Sequence, residues 1–236
     1  MSAITASELW FTAPQQVEVR SRPLPAPAAG ELLVQVLYSA ISAGTELLVY
    51  RGQLPNDMAL DATLPGLQQS TAYPLQYGYA TVGRVIALGS GVDEHWRDQL
   101  VFAFQPHTSH FLATPAAVIP LPADIEPEAA LFLANMETAV NLVQDGAPAV
   151  GEDVVVLGQG IVGVLLLQLL RQFPLASVSV FDSLPARRAR ALGLGASHAV
   201  DPAAPSGSTA LQQALAHNGA DLVYEVTGVP EALNLA

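Results

Sequence analysis

The feature that most constrains the fold of this chain is a glycine-rich turn between a buried strand and a helix. The segment reads Gly158-Gln-Gly160-Ile-Val-Gly163 and directly follows the apolar run Val154–Leu157. A bare G-x-G-x-x-G pattern is weak, but between a strand and a helix it is specific. Gly158 suits the tight turn, Gly160 lets the backbone approach a pyrophosphate, and Gly163 allows close helix-to-strand packing. The turn therefore predicts a dinucleotide-binding βαβ unit.

The first residues of the helix after this turn are expected to hold the diphosphate. The N–H groups of Ile161 and Val162 and the partial positive charge of the helix N-terminus favour an anion there. Asp182 ends the next predicted strand, where a carboxylate can accept hydrogen bonds from an adenosine ribose and would repel a 2′-phosphate. We therefore expect NAD(H) to be preferred to NADP(H).

Two observations leave the role of Asp182 open. Arg187 and Arg188 follow within one helical turn and could support binding of NADP(H). Asp182 and Ser183 could also simply cap the helix that begins near Pro185.

Beyond Gly151 the chain alternates strand and helix patterns, which favours right-handed βαβ units and a parallel sheet. Strands are predicted over 154–157, 177–181, 198–200 and 221–226, and helices over 161–173, 185–192 and 209–216. A complete doubly wound sheet has about six strands. We therefore expect an incomplete sheet with an open edge along 221–226, lacking on the order of a hundred residues.

The first half of the chain is rich in short β-type runs divided by proline and glycine, typical of a small barrel or sandwich. Strands are expected over 32–38, 81–88 and 100–104, and a long irregular loop over 56–72. At residue 122 the sequence becomes acidic and leads into a helical pattern over 129–143. We place the domain boundary there, which gives domains 1–121 and 122–236.

The absence of two residue types excludes several kinds of chemistry. The chain has no cysteine, so it has no disulfide, thiolate zinc site or cysteine nucleophile. All nine basic residues are arginine, which excludes Schiff-base lysines and the phosphate lysine of a P-loop. A formal charge of −12 argues against nucleic-acid or anionic-membrane partners. Without a signal peptide or membrane-span pattern, we expect a cytoplasmic protein with a small-molecule substrate.

Several motifs in order resemble the medium-chain dehydrogenase/reductase superfamily of alcohol dehydrogenase-like enzymes. Besides the glycine turn and Asp182, they are Ala43-Gly-Thr-Glu46 with Gly52, Pro74–Val92, Thr138-Ala139, Leu192–Ala196 and Thr227-Gly228. The resemblance implies an α/β protein with an N-terminal GroES-like domain and a C-terminal Rossmann domain. It also implies a cofactor contact at Thr227 and a homodimer in the full-length protein. Residues 41–46 followed by Gly78-Tyr79 further resemble the bacteriochlorophyllide hydroxyethyl dehydrogenase branch.

The same resemblance implies that the superfamily's zinc sites are lost. Zinc-dependent members carry Cys where this chain has Ala43, and a His-Glu pair where it has Tyr79 and Ala80. Alanine offers no zinc ligand, so we expect no zinc. A carbonyl would then be polarised by hydrogen-bond donors. The candidates are Thr45, at the superfamily's proton-relay position, and the phenol of Tyr79.

Other interpretations of these residues stay open. Tyr79 could merely fill the volume that zinc leaves, because a buried phenol needs a partner but no catalytic role. Phe104 could line the substrate pocket or be an ordinary core residue. A metal could instead be held by non-standard ligands, drawn from His107, His110, Glu46 and Glu137.

The sequence thus predicts a zinc-independent, NAD(H)-dependent oxidoreductase that acts on a carbonyl, a secondary alcohol or an activated alkene. The alternatives are a dinucleotide-binding or structural relative without catalysis, and a zinc-dependent dehydrogenase with non-standard ligands.

Overall fold

The protein was analysed as a computed structural model that describes residues 4–54, 71–204 and 219–234. By their contacts the residues form two compact units, Met1–Ala134 and Asn135–Ala236. The sequence predicted a division after residue 121. Residues 122–134 instead pack within the first unit, where Ala130 and Ala134 contact the cluster around Phe102.

The first unit contains a hairpin and a five-stranded antiparallel sheet. Strands β1 (Ile4–Ala13) and β2 (Gln16–Leu24) form the hairpin. The sheet has the order β6-β3-β4-β5-β7, with bounds β3 Leu32–Ser39, β4 Thr81–Leu88, β5 Leu100–Ala103, β6 His110–Ala113 and β7 Ile119–Pro120. The predicted strands at 32–38, 81–88 and 100–104 are therefore confirmed to within one residue. The predicted loop over 56–72 lies almost wholly outside the described residues.

Strand β3 explains why its sequence alternates imperfectly. Leu32, Leu33 and Val34 are all buried, because side chains on both faces of the strand meet apolar neighbours. The sheet also approaches its flanking turn closely, since a Cβ at Gly89 would lie 1.7 Å from the carbonyl oxygen of Ala28.

Three helices come after strands of this sheet in the chain, α1 after β3 and the other two after β7. Helix α1 spans Thr45–Arg51 and ends at Gly52, whose φ of +67° closes it in the left-handed conformation. The helix predicted over 129–143 is interrupted, so that α2 spans Pro127–Ala130 and α3 spans Leu133–Gly146.

The second unit is built on a four-stranded parallel sheet with the order β10-β9-β8-β11. Its strands are β8 Asp153–Leu157, β9 Ser177–Phe181, β10 His198–Val200 and β11 Leu222–Glu225. Every residue of β8 is buried, as a central strand with both faces covered requires. The predicted parallel sheet is confirmed, and in the described part of the chain β11 is one of its two edges.

Helices α4 (Ile161–Leu170) and α5 (Pro185–Gly193) follow the first two strands of this sheet. The prediction extended the first helix to residue 173, but α4 stops earlier because the chain turns at Arg171 towards β9. Leu166, Leu167 and Leu170 form the buried face of α4 against β8 and β9. The helix predicted over 209–216 lies outside the described residues. Within the described ranges, no helix combines the length and apolar character needed to cross a membrane.

Candidate functional site

The glycine turn of the second unit has the geometry that its sequence predicts. Gly158 has a φ of +95°, and a Cβ there would lie 3.0 Å from the backbone nitrogen of Thr227. A Cβ at Gly163 would lie 2.0 Å from the carbonyl oxygen of Gly158, so helix α4 packs directly against the turn. Gly160 has nothing within 4 Å of its added Cβ. The turn therefore leaves open space at the glycine where the sequence predicts a pyrophosphate.

Helix α4 begins at Ile161, directly after this open position. The first hydrogen bond of the helix runs from Val164 N to Gly160 O at 3.0 Å, so the N–H groups of Ile161 and Val162 precede it. No side chain caps this helix N-terminus. The arrangement can accept an anion, because the first N–H groups of a helix have no partner within the helix.

A pocket of about 550 Å³ lies at this end of the parallel sheet. It is lined by Gly158, Gly160, Asp182, Arg187 and Thr227, with Leu157, Phe181, Ser183, Pro202, Val226, Val229, Glu231 and Ala232. The structure thus places most of the predicted cofactor residues on one surface. Thr227 is exposed, and its hydroxyl bonds to the carboxylate of Glu225 and accepts from Val229 N at 2.9 Å.

Asp182 stands at the end of β9 and is 7% exposed. One carboxylate oxygen accepts from the backbone N–H of Gln159 at 2.9 Å, and the other accepts from that of Leu184 at 2.8 Å. Asp182 is not the N-cap residue of α5, which is Leu184, but its carboxylate holds the N–H of that residue just before the helix. Asp182 therefore ties the glycine turn to the end of β9 and also lines the pocket.

The two arginines near Asp182 differ in their contacts. Arg188 donates to the carbonyl oxygen of Asp182 at 2.7 Å and pairs with the carboxylate of Asp201 at 3.1 Å. Arg187 contacts the Asp182 carboxylate at 3.4 Å, with 45% of its side chain exposed. Of the two, Arg187 lines the pocket, so it is the arginine able to meet a further phosphate there.

The first unit contains a second set of polar groups, which we call the polar cluster: Ser39, Ser42, Glu46, Tyr79 and His107. The hydroxyl oxygens of Tyr79 and Ser42 lie 2.7 Å apart and share a hydrogen bond, and Ser42 N donates to Glu46 Oε1 at 2.9 Å. His107 Nε2 lies 2.7 Å from Glu46 Oε2, and its Nδ1 bonds to Ser39 Oγ. Hydrogen bonds connect these five residues in one chain, in which the link between Ser42 and Glu46 is the backbone N–H of Ser42. Their spacing in the sequence does not indicate this arrangement.

Strand β1 and Gly78 together determine where His107 lies. Leu9 N donates to His107 O at 3.0 Å, and Ser109 N donates to the carbonyl of Ser7 at 2.9 Å, so β1 fixes the backbone on both sides of Thr108. Gly78 lets the imidazole approach, since a Cβ there would lie 3.2 Å from His107 Nε2.

Glu46 lies in the first turn of α1 and is 2% exposed, so its carboxylate has left water for these hydrogen bonds. An isolated buried carboxylate is costly, and hydrogen bonds from Ser42 and His107 reduce that cost.

The residues at the superfamily's zinc positions do not fit a zinc ion. Ala43 is exposed and has no ligand atom, and Tyr79 is bonded to Ser42. Among the residues that the structure describes, no three His, Cys, Asp or Glu side chains are grouped to hold a metal. Of the four alternative metal ligands suggested by the sequence, the structure brings only His107 and Glu46 together.

The other predicted residues have ordinary surroundings. His110 bonds to Ser109 Oγ at 3.1 Å, and burial lowers the pKa of its imidazole. Glu137 is an exposed residue of α3. Phe104 packs edge-on against Phe102, with ring centroids 5.2 Å apart, as a core residue would. Thr45 is half-buried at the start of α1.

The chain is similar in sequence to known dehydrogenases. Residues 162–236 match the family of zinc-binding dehydrogenases. The chain is 26% identical to the L-threonine 3-dehydrogenase of Stenotrophomonas maltophilia, over 90% of this chain and 67% of that protein. Over 46% of its length it is 30% identical to the 2-desacetyl-2-hydroxyethyl bacteriochlorophyllide A dehydrogenase of Cereibacter sphaeroides, of which the match covers 30%.

Solved structures agree in fold. An alcohol dehydrogenase from E. coli CFT073 in complex with NADH is 20% identical and has a TM-score of 0.78, covering 98% of this chain and 73% of that one. A protein described as a zinc-binding dehydrogenase from Sinorhizobium meliloti 1021, bound to NADP, is 19% identical, with a TM-score of 0.76 and coverage of 98% and 72%. The chain is thus similar to zinc-binding dehydrogenases in the sequence of its second unit, and it shares the fold of these solved structures.

The likeness to these structures confirms the predicted fold, a GroES-like β-rich domain together with a Rossmann sheet. The similar proteins are named dehydrogenases, as the prediction of an oxidoreductase of the alcohol dehydrogenase-like type requires. The individual roles of Thr45 and Tyr79, and of the residues around the glycine turn, stay predictions.

Proposed function

We propose that this protein is a zinc-independent, NAD(H)-dependent oxidoreductase that acts on a carbonyl, a secondary alcohol or an activated alkene. The observation that carries the proposal is the carboxylate of Asp182 beside the open glycine turn, in a pocket of about 550 Å³. A small-molecule substrate and a homodimer belong to the proposal, and nucleic acid and membranes are not among the partners it foresees.

The pocket suits a nicotinamide dinucleotide on three grounds. Space remains over Gly160, the N–H groups of Ile161 and Val162 begin the helix, and Asp182 can accept from ribose hydroxyls. The NADH and NADP complexes of similar structures support the cofactor class.

Preference for NAD(H) follows from the charge at the ribose end. A 2′-phosphate would meet the buried carboxylate of Asp182, and like charges at short range repel. Arg187 offers partial compensation, but its guanidinium already faces this carboxylate at 3.4 Å.

Independence from zinc follows from Ala43 and from the engagement of Tyr79 with Ser42. When bound, the nicotinamide supplies or accepts a hydride. The chain's own residues must then polarise the substrate oxygen, which hydroxyl donors can do in place of a metal. The candidate donors are Thr45, at the superfamily's proton-relay position, and Tyr79, which replaces a zinc-binding histidine of the superfamily.

Calorimetric titration of the protein with NADH and NADPH tests the proposal. We expect NADH to bind at least about tenfold more tightly, a difference of about 1.4 kcal/mol. In an Arg187→Ala variant the residual affinity for NADPH should fall, whereas that for NADH should hold. Equal affinity for the two nucleotides in the unsubstituted protein would remove the role given to Asp182.

A second candidate function is favoured by one observation, the 2.7 Å contact between His107 and Glu46. These are two of the ligand types that zinc uses, so a dehydrogenase with non-standard zinc ligands is the competitor. A third possibility is a relative that binds the dinucleotide without turnover. Stopped-flow oxidation of NADH against aldehydes, quinones and enones, with and without added zinc, separates them, because a binder gives thermal protection and no turnover.

A further inference from the structure

The turn that follows strand β11 forms one wall of the pocket, and we call its residues 225–229 the Thr227 turn. Val226, Thr227 and Val229 line the pocket, and Val226 N donates to the carbonyl oxygen of Leu157 at 2.9 Å. Gly158 makes room for this turn, because a Cβ there would lie 3.0 Å from both the backbone nitrogen and the methyl carbon of Thr227. The Thr227 turn therefore lies directly against the glycine turn.

The hydroxyl of Thr227 has two hydrogen-bond partners, and their chemistry fixes the direction of each bond. A carboxylate has lone pairs but no hydrogen, and a backbone N–H can only donate. The hydroxyl therefore donates its hydrogen to Oε1 of Glu225 and accepts from Val229 N, the latter at 2.9 Å. The same carboxylate oxygen accepts from Thr227 N at 2.6 Å. One oxygen of Glu225 thus closes the turn at the end of β11.

These bonds limit what Thr227 can offer to a bound dinucleotide. Its hydroxyl has no hydrogen left to donate, and the oxygens of an ionised diphosphate carry none. A hydrogen bond between this hydroxyl and the diphosphate is therefore excluded while Glu225 holds the turn. Towards the diphosphate, Thr227 can contribute only through its backbone, its methyl group and the shape of the turn.

We propose that Glu225 is a positioning residue for cofactor binding, which acts by holding the Thr227 turn against the glycine turn. The inference rests on the proposed function. A turn that is ordered before the ligand arrives adds no ordering cost to binding, whereas a loosened turn adds one. Glu225 is not among the described residues that line the pocket, in contrast to Asp182 and Glu231, so its effect on affinity is assigned to the turn that it closes.

The charge of Glu225 separates this role from a direct contact of Thr227 with the ligand. Glu225 pairs with Leu157 in the sheet, one residue before Gly158, so it lies near the place proposed for the diphosphate. Removing a negative charge there would by electrostatics alone strengthen the binding of an anion. If the Thr227 hydroxyl itself bonded to the ligand, loss of Glu225 would free that hydroxyl and also strengthen binding. A positioning role predicts the opposite sign, a weaker affinity.

The test measures the Kd for NADH by calorimetry in two variants of Glu225. Glu225→Leu has no acceptor oxygen and should raise the Kd about 3- to 10-fold, the size of about one net hydrogen bond. Glu225→Gln is the matched control, because its amide oxygen can accept both bonds although the charge is gone. The Kd of this control should not rise. An unchanged or lower Kd in Glu225→Leu, or an equal rise in Glu225→Gln, would overturn the inference.

A second pair of variants, at Thr227, keeps the inference testable if Glu225→Leu does not fold. Thr227→Val keeps the branched shape and loses the hydroxyl, whereas Thr227→Ser keeps the hydroxyl and loses the methyl group. Thr227→Val should raise the Kd for NADH about 3- to 30-fold, because both side-chain bonds are lost. Thr227→Ser should raise it less. A Thr227→Val protein that binds NADH like the unsubstituted one would refute the role of the closed turn.

Hydrogen exchange of the Val229 amide, measured by NMR without nucleotide, reports on the turn itself. This N–H bonds to Thr227 Oγ1, so it should exchange faster in Thr227→Val and in Glu225→Leu than in the unsubstituted protein. The exchange rate should stay unchanged in Thr227→Ser and in Glu225→Gln. Unchanged exchange in Glu225→Leu would contradict the closing of the turn by this carboxylate.

Failure of this inference differs from failure of the proposed function. If the unsubstituted protein binds neither NADH nor NADPH, the proposed function and this inference both fall. If it binds NADH and Glu225→Leu binds it equally well, Glu225 is not a positioning residue, and the cofactor assignment stands.

Discussion

Two glycines of the same turn should respond in opposite ways to the same substitution. A methyl group at Gly163 would lie 2.0 Å from the carbonyl oxygen and 2.9 Å from the carbonyl carbon of Gly158. The turn would have to move by more than an ångström to restore ordinary contact. At Gly160 the methyl group meets nothing within 4 Å, and the φ of −71° suits any residue.

The magnitudes follow from these contacts. Overpacking of this kind costs about 1–3 kcal/mol, and alanine in a helix returns up to about 1 kcal/mol. Gly163→Ala should therefore lower the free energy of unfolding by about 1–2 kcal/mol, or the melting temperature by roughly 5–15 °C for a domain of about a hundred residues. Gly160→Ala should leave the melting temperature unchanged or slightly raised.

For the affinity for NADH we expect a large effect of Gly160→Ala, the variant that leaves stability unchanged. If the pyrophosphate lies over Gly160, a methyl group there meets the same overpacking cost of about 1–3 kcal/mol, which weakens the Kd for NADH roughly 5- to 150-fold. Thermal melting by circular dichroism and calorimetric titration of NADH measure the two quantities. A Gly160→Ala protein that binds NADH like the unsubstituted one would refute the placement of the pyrophosphate. A Gly163→Ala protein that melts normally would refute the close helix-to-turn contact.

Three further outcomes follow from individual side chains. Asp182→Asn should lower the free energy of unfolding, measured by chemical denaturation, by about 1–3 kcal/mol, because an amide N–H then faces a backbone N–H. In calorimetry the same variant should bind NADH and NADPH with more similar affinities. Burial, and then the charge of Glu152, raise the pKa of Tyr224. The stability that this phenol contributes is therefore present below pH 10 and falls as pH rises through the pKa of the folded state. In thermal melts between pH 9 and about 11.5, Tyr224→Phe should lose less stability with rising pH than the unsubstituted protein. Elemental analysis should find no stoichiometric zinc, and one tightly held ion per chain would refute the interpretation of Ala43 and Tyr79.

Secondary structure was predictable wherever burial produced a clear pattern. The strands at 81–88 and 177–181 match their predicted bounds, because most of their residues are buried and both are rich in valine and other apolar residues. The hairpin of β1 and β2 was not singled out. Apolar and polar residues alternate only over 17–20 of β2, and even there Val17 and Val19 are 52% and 66% exposed, so a buried face does not mark this strand in the sequence.

The two candidate sites differed in predictability for a related reason. The glycine turn is a local motif, and its backbone conformation follows from adjacent residues. The polar cluster joins residues that are far apart in sequence: Tyr79 meets Ser42 across 37 positions, and His107 meets Glu46 across 61. Neither Ser39 nor Ser42 was recognised, because a lone serine in a β-rich segment has no periodicity or spacing to mark it.

The bonds that hold Asp182 have a consequence for the entropy of ligand binding. Two backbone N–H groups fix both oxygens of its carboxylate, so its rotamer is already chosen in the folded protein. Freezing a flexible side chain on binding costs about 0.5–1.5 kcal/mol, and here that loss occurs during folding. The carboxylate is thus ordered in the folded protein, and binding of a ribose there, as the proposed function requires, would need no rearrangement of this side chain.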